Sequence, residues 1–296
     1  MVYIAGYGRS GSTLLDLLLG RLDGWFSMGE FRLFWHALRD HWRCGCGEDV
    51  EHCPVWSAVL AQARPAPVTE VLTDLRETVR VRRVPALVAP RLLGGHQAAR
   101  NRFAATLADI YSSTQRVTGA RVLVDSSKDP MYGLVMSSLP GVRVHVVHLV
   151  RDSRAVTWSW QRKKARPEIA KKEAFLPQHG PLHTSLEWDL RHSLVHVLAR
   201  ESSGYTRVTY ESLVQDPLET LSTITRAVAG TDAPTLGASL ERVEQVNHTV
   251  AGNPMRFEPF ALDLHPDDEW RELLAPRDRR LVTALTYPLL RTYGYV

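Results

Sequence analysis

Residues 2–13 read VYIAGYGRSGST, an apolar stretch followed by a loop rich in glycine and hydroxyl side chains. Residues 2–5 predict a buried β-strand, and the apolar run LLDLLL at 14–19 predicts a helix. Glycines allow the backbone to approach an anion closely, and the unpaired N–H groups at the start of a helix bind it. The segment therefore predicts a phosphate-binding loop at the first turn of an α/β fold.

The loop lacks the lysine of the form GxxxxGK[ST], which reaches the β- and γ-phosphates of a magnesium-bound triphosphate. Ser12 stands at the lysine position, and a cation lies inside the loop instead, as Arg9. We therefore expect a phosphate-like ligand other than a magnesium-bound triphosphate. A glycine- and serine-rich turn without a ligand is the alternative interpretation.

The composition is that of an ordinary globular protein, because 296 residues that are 44% hydrophobic and 23% charged can bury a large core. A formal net charge of +4 suits an anionic ligand but lacks the concentrated basic patch of a nucleic-acid-binding protein. No signal-peptide pattern precedes the predicted strand, and no apolar stretch reaches membrane-spanning length. Three cysteines exclude a disulfide framework, so a cytoplasmic location is expected.

Further strands are predicted at 25–28, 121–124, 142–150 and 206–210, with helical patterns between them. Alternating strands and helices predict a central parallel sheet with helices on both faces, a three-layer α/β/α fold like that of P-loop NTPases. No shift in composition marks a domain boundary. We therefore predict a single domain over 1–296, with a mainly helical insertion at about 31–119.

The cysteines cluster as Cys44, Cys46 and Cys53, with His41 and His52 nearby. A zinc site usually contains a CxxC pair and a second ligand pair at standard separation, and neither is found here. The spacing therefore disfavours zinc. A disulfide that involves Cys53, and packed or exposed thiols, are the other interpretations, and the redox state stays open.

A second anion site is predicted at residues 151–159, RDSRAVTWS, at the end of the most apolar strand. A strand–loop–helix unit can present Arg151, together with Ser159 two helical turns later, to one phosphate. Two anion sites on one sheet indicate a ligand with two separated anionic groups.

The two loops together resemble those of sulfotransferases that use 3′-phosphoadenosine 5′-phosphosulfate (PAPS). In that family the first loop cradles the 5′-phosphosulfate, and a segment of the form RDxRAxxxS binds the 3′-phosphate. Ser153 stands where many members have proline. The resemblance thus assigns the 3′-phosphate to Arg151 and Ser159, and the 5′ side to Arg9, Ser10, Gly11, Ser12 and Thr13.

Two later segments extend the resemblance towards the end of the chain. Residues 210–217, YESLVQDP, are similar to the family's YExLxxDP, which implies that Tyr210 lies near the adenine. Asn253 and Arg256, in GNPMRF, resemble a loop that closes over the 3′-phosphate. The four segments occur in family order, so the resemblance covers nearly the whole chain.

Sulfuryl transfer requires cations that stabilise charge on the leaving nucleotide and a base that accepts the acceptor's proton. Lys128, in DSSKDP, resembles the lysine that contacts the phosphosulfate in the tyrosine- and carbohydrate-modifying branches, and Arg9 would assist it. Glu30, in a Gly-Glu pair similar to that of the tyrosine-sulfating branch, is the candidate base. A solvated lysine, and a capping or ion-paired carboxylate, are the alternatives.

The steroid and phenol branch uses a histidine as base, so His36, His41 and His52 in the insertion remain candidates. The insertion itself is expected to form the acceptor pocket. The basic run at 162–166 and the lysines at 171–172 are interpreted as a guide for an acidic acceptor, a lid over the donor, or a solvated surface.

The resemblance implies a bacterial enzyme that moves a sulfuryl group from PAPS to a hydroxyl of a small molecule, glycan or natural product. It would release 3′,5′-adenosine bisphosphate (PAP), use no metal, and act as a monomer or homodimer. A P-loop kinase, in which Asp125 would hold magnesium, and a non-catalytic anion-binding protein of the same fold are the alternatives.

Overall fold

The protein is described by a computed structural model that covers residues 1–80, 97–165, 169, 175–230, 246–258 and 264–296. Five parallel strands form one sheet in the order β2-β3-β1-β4-β5. The strands are β1 (Val2–Gly6), β2 (Trp25–Ser27), β3 (Val122–Lys128), β4 (His145–Val150) and β5 (Gly204–Thr209). The predicted parallel sheet is confirmed.

Helices cover both faces of this sheet. They are α1 (Ser12–Leu19), α2 (Phe34–Arg39), α3 (Pro54–Ala63), α4 (Val68–Thr78), α5 (Gln97–Thr118), α6 (Pro130–Ser137), α7 (Ser153–Gln161), α8 (Pro181–Glu201), α9 (Tyr210–Gln215), α10 (Pro217–Ala229), α11 (Trp270–Leu273) and α12 (Pro276–Tyr293). Two 3₁₀ helices span Phe31–Leu33 and Pro254–Phe257. None of the helices in the described part of the chain is both long and apolar enough to cross a membrane.

The central strand β1 is buried on both faces, which explains its uninterrupted apolar sequence. Successive side chains of a strand point to opposite faces. Val2 and Ile4 therefore pack with the leucines of α1, whereas Tyr3 and Ala5 belong to the core on the other face. This arrangement is the predicted α/β/α sandwich.

The segment between β2 and β3 contributes α2 to α5, and its aromatic side chains are mostly core. Phe31, Phe34, Trp35 and Trp56 are almost completely buried, and the rings of Phe31 and Phe34 stack with centroids 4.7 Å apart. Residues 81–96 of the predicted insertion, and the predicted basic positions Arg166, Lys171 and Lys172, lie outside the described residues.

The strand predicted at 206–210 ends one residue early, since Tyr210 is the first residue of α9. Thr209 and Ser212 form a capping box: Thr209 Oγ1 accepts from the Ser212 backbone N–H at 3.0 Å, and Ser212 Oγ accepts from that of Thr209 at 3.2 Å. The cap turns the chain at the carboxyl edge of the sheet, where the loops after β1 and β4 also lie.

Candidate active site

The loop between β1 and α1 contains residues 7–11, and glycine is required at both of its ends. Gly6 has φ +147°, and a Cβ there would lie 2.5 Å from the carbonyl oxygen of Leu149. Gly11, the N-cap of α1, has φ +85°. None of the described side chains caps α1, so its first N–H groups are available to an anion in the loop.

Arg9 and Ser10 place buried polar atoms in this loop. The Nε and Nη2 atoms of Arg9, and the hydroxyl of Ser10, are buried without a hydrogen-bond partner among the described residues. The guanidinium lies over the ring of Trp160, 4.8 Å from the centroid, and burial lowers its pKa. Unpaired buried donors are costly, so their concentration in a glycine-rich loop favours a ligand with anionic oxygens.

Glu30 and Lys128 meet beside this loop, at the ends of the adjacent strands β2 and β3. Lys128 Nζ lies 2.6 Å from Glu30 Oε1 and donates to the carbonyl of Ser126 at 3.1 Å. An ion-paired carboxylate was one alternative interpretation of Glu30. That ion pair is present, and its partner is Lys128, the other predicted catalytic residue. Lys128 has φ +66°, a conformation that non-glycine residues adopt mainly at functional sites and turns.

One cavity of about 480 Å³ unites these groups. Its lining includes seven of the predicted site residues together with Gly252, Trp160 and the α8 side chains Glu187 and Arg191. These predicted residues are Arg9, Gly11, Ser12, Thr13, Glu30, Lys128 and Asn253. The loop after β1 and the predicted catalytic pair therefore share one space.

The loop after β4 lies beside the first loop. The buried Arg151 donates to the carbonyl of Arg9 at 3.1 Å and to the carbonyl of Asp267 at 3.0 Å. Its guanidinium lies over the ring of Tyr210, 4.1 Å from the centroid. A Cβ on Gly11 would be 2.7 Å from Tyr210, so this tyrosine packs between the two loops. Ser159 is buried on α7.

A profile of the sulfotransferase family matches residues 2–231. The chain belongs to the sulfotransferase family. The predicted family is confirmed, the protein is an enzyme of the sulfotransferase class, and the donor that this family uses is PAPS.

Solved structures show where this sulfotransferase fold recurs. The sulfotransferase domain of the Synechococcus PCC 7002 olefin synthase aligns with a TM-score of 0.58 and 23% identity, covering 100% of this chain and 94% of that domain. The sulfotransferase domain from the curacin biosynthetic pathway aligns with a TM-score of 0.55 and 16% identity, covering 96% of each chain. None of the curated protein sequences matches. At these identities the structural likeness shows a shared fold.

In this sulfotransferase the loop that contains Asn253 and Arg256, called the late loop here, makes two different kinds of contact. The Asn253 backbone N–H donates to Thr13 Oγ1 at 3.1 Å, which brings the late loop onto the first helix. Arg256, in contrast, is buried, and its two terminal nitrogens donate to the backbone carbonyls of Thr249 at 2.6 Å and Arg43 at 2.7 Å. This geometry favours a structural role for Arg256 in place of the predicted phosphate contact.

The predicted alternative bases do not line the cavity. His36 is half-buried on α2, where burial lowers its pKa, and His41 and His52 are exposed. Two other histidines, His179 and His183, do line it, with ring centroids 4.4 Å apart. They precede or begin α8 in a stretch without regular periodicity, so no sequence signal singled them out.

The structure also adds charged groups near Arg151 that sequence analysis missed or treated as surface. Asp267 Oδ2 lies 3.3 Å from Arg151 and 2.6 Å from Arg162. Burial opposes ionisation of this carboxyl, yet the two arginines hold the pKa of Asp267 below its usual value. Burial, with the nearby charges of Arg9 and Arg162, lowers the pKa of Lys164. Arg162 of the basic run therefore shares the carboxylate of Asp267 with Arg151.

Asp125, the potential magnesium ligand of a kinase, is occupied by other contacts. Its carboxylate accepts from the Ser127 N–H at 2.9 Å, the Ser127 hydroxyl at 2.5 Å and the Tyr111 hydroxyl at 2.9 Å. The side chain is fully buried, and burial raises its pKa to about 6. These contacts favour a structural role, joining β3 to α5.

Proposed function

We propose that this sulfotransferase transfers the sulfuryl group of PAPS to a hydroxyl of a small molecule, glycan or natural product, by in-line displacement and with cationic side chains in place of a metal. The observation that carries the proposal is that two buried guanidinium nitrogens of Arg9, without a hydrogen-bond partner among the described residues, share one cavity with the Glu30–Lys128 pair. The proposal includes release of PAP, a cytoplasmic location, and action as a monomer or homodimer.

The first loop is proposed to bind the phosphosulfate end of the donor. Its positive partial charge comes from the start of α1, and Arg9 adds a full charge. The unpaired donors of Arg9 and Ser10 then receive anionic oxygens as partners, which removes the cost of their burial. The residues proposed for this end are Arg9, Ser10, Gly11, Ser12 and Thr13.

Lys128 is proposed to stabilise the leaving group. In the transfer the acceptor oxygen forms a bond to sulfur while the bond between sulfur and the bridging oxygen breaks, and the electron pair of that bond stays on the phosphate of PAP. Negative charge therefore grows on the bridging oxygen. A cation positioned in advance stabilises that charge without reorganisation, and Lys128 and Arg9 are both held in this cavity.

Glu30 is proposed to accept the proton of the acceptor hydroxyl. Its carboxylate faces the cavity, and Lys128 Nζ fixes one of its oxygens at 2.6 Å. A base must lie within hydrogen-bond reach of the proton it removes, so the acceptor hydroxyl would enter beside Glu30. His179 and His183 line the same cavity and are the alternative bases in this geometry.

The 3′-phosphate is proposed to lie at the loop after β4. Arg151 would supply the charge, with Ser159 on the following helix and Asn253 from the late loop. Tyr210, packed between Gly11 and Arg151, would contact the adenine. We leave Arg256 out of the phosphate site, because its terminal nitrogens already donate to backbone carbonyls.

The proposal is tested by incubating the protein with PAPS and a panel of hydroxylated acceptors. Mass spectrometry should show an acceptor heavier by one SO₃ group and an equal amount of PAP. Lys128→Ala should lower kcat by about 10²–10³-fold through lost charge stabilisation, and Glu30→Gln by about 10²–10⁴-fold through the lost base. The exposed Lys163, which does not line the cavity, provides the matched control Lys163→Ala.

Two results would contradict this function. PAPS binding by the wild type without transfer to any acceptor would favour the non-catalytic anion-binding protein. Magnesium-dependent consumption of ATP without PAPS binding would favour the kinase, and the contacts of Asp125 would then have to rearrange.

A further inference from the structure

Three cysteines and one histidine converge at a point outside the proposed active site. Cys44 and Cys46 precede α3, Cys53 is the N-cap of α3, and His248 comes from a segment far along the chain. The four ligand atoms lie within 4.8 Å of one another. Cys53 Sγ is 3.2 Å from Nδ1 of His248, a residue 195 positions later. The spacing of the cysteines disfavoured zinc because His248, the fourth possible ligand, is far from them in the sequence.

We propose that Cys44, Cys46, Cys53 and His248 form a structural Zn²⁺ site. With Zn–S bonds of about 2.3 Å and Zn–N bonds of about 2.0 Å, a tetrahedral site has ligand atoms roughly 3.5–3.8 Å apart. The distances in the cluster lie on both sides of that range, from 3.2 Å between Cys53 Sγ and His248 Nδ1 to at most 4.8 Å, so small side-chain shifts would reach it. A Cys₃His set with all four positions supplied by protein is typical of a structural zinc site, whereas a catalytic one keeps a position open.

The geometry around Cys53 suits a metal ligand. Cys53 is the N-cap of α3, a helix of 10 residues, and therefore stands at its positive end. Its Sγ atom lies 3.2 Å from Nδ1 of His248, so a sulfur ligand and a nitrogen ligand already meet at this point.

The segments that carry the ligands are already joined by close backbone contacts. The Gly45 N–H donates to the carbonyl of Thr249 at 3.0 Å, and Trp56 Nε1 donates to the carbonyl of His248 at 2.8 Å. A side chain at Gly45 would collide with Asn247. Arg256 joins the same two segments through the carbonyls of Arg43 and Thr249. The site therefore has the rigid frame that a structural metal requires.

The metal would fix the late loop over the proposed active site. Two residues after His248, Val250 pairs with Gly29 and accepts from the Glu30 N–H at 2.8 Å. Asn253 then contacts Thr13 in the first loop. The zinc site lies at the base of the segment that holds both Glu30 and the donor loop, although it contributes no atom to the cavity lining.

The test measures metal in the full-length protein, purified without chelators. Inductively coupled plasma mass spectrometry should find about one Zn²⁺ per chain, and alkylation after denaturation with a chelator should label all three cysteines. Zinc at background level would overturn the proposal, as would a disulfide among the cysteines or iron as the bound metal. The measurement needs neither donor nor acceptor, so its outcome is independent of the proposed transfer.

Ligand variants locate the metal. Cys46→Ser and His248→Ala should lose zinc to background after dialysis, whereas His52→Ala, an exposed histidine outside the cluster, should retain it. Retention of full zinc by folded Cys46→Ser and His248→Ala would overturn the assignment. If these variants fail to fold, stepwise chelation of the wild type is decisive: release of the zinc should expose three new reactive thiols and lower Tm, and release without new thiols would overturn the site.

Discussion

The loops after β1 and β4 lie side by side at one sheet edge, but their arginines have different partners. Arg9 keeps two buried nitrogens without a partner among the described residues, and Ser10 beside it has an unpaired hydroxyl. Arg151 keeps one such nitrogen, Nε, but its two terminal nitrogens donate to backbone carbonyls and it contacts the carboxylate of Asp267. Arg9 therefore has more unpaired donors to offer an outside anion, whereas Arg151 already contacts an internal one.

This difference has an energetic consequence for the proposed donor. An unsatisfied buried donor costs about 1–3 kcal/mol, and a ligand oxygen at Arg9 recovers that cost directly. A phosphate at Arg151 must instead compete with Asp267, or share the guanidinium with it. The two ends of the same donor should thus contribute unequally, with the phosphosulfate end dominating.

Among variants that separate the two loops, the largest effect is expected from Arg9→Ala. Loss of a preorganised cation at the developing charge should lower kcat/KM for PAPS by about 10²–10³-fold. Steady-state kinetics of PAP release measure this directly. Arg277→Ala, at a side chain that is 91% exposed, is the control and should match the wild type. Equal kinetics for the two variants would remove the first loop from the proposed donor site.

A smaller effect, on binding, is expected from Arg151→Ala. Loss of charged hydrogen bonds to the 3′-phosphate should weaken PAPS affinity by about 10–100-fold, measured by calorimetry. Adenosine 5′-phosphosulfate, which lacks the 3′-phosphate, is the matched ligand and should bind the variant and the wild type alike. A similar loss for both ligands would mean that Arg151 supports the fold of the loop and not the phosphate.

The smallest effect is expected from Asp267→Asn, and this variant should bind PAPS more tightly, whereas Arg151→Ala should bind it more weakly. Removing the carboxylate charge frees Arg151 and Arg162 for a phosphate, so PAPS affinity should rise by roughly 3–10-fold at low salt. Glu269→Gln, at a more exposed carboxylate that contacts only Arg162 of this pair, should change affinity less. Weaker binding in Asp267→Asn would show that Asp267 positions Arg151 for the donor.

Much of the fold was predictable from local sequence pattern. The apolar strands, the glycine-rich first turn and the helices between them give the sheet, because strand and helix periodicities are local properties. Glu30 and Lys128 were predicted as separate strand-end residues, and the adjacency of β2 and β3 explains why they meet. The carboxyl edge of a parallel sheet collects such residues without any long-range signal.

The features of the site that the sequence did not predict depend on contacts between segments that are far apart in the chain. Arg256 carries the charge of a phosphate ligand, but only the fold reveals that backbone carbonyls of Arg43 and Thr249 occupy its nitrogens. His248 completes the cysteine cluster from a segment with no other metal-ligating pattern. Asp267 likewise reaches Arg151 from a region without a recognisable motif.

The positive φ angles of Arg9 (70°) and Lys128 (66°) bear on the accuracy with which the site is aimed. Lys128 is the last residue of β3, and Arg9 lies three residues after the end of β1. In each case the backbone angle sets the direction of the Cα–Cβ bond, and the conformation costs about 1–2 kcal/mol. The main chain therefore sets the direction in which each cation leaves the backbone, and the side-chain torsions then set where its charge lies.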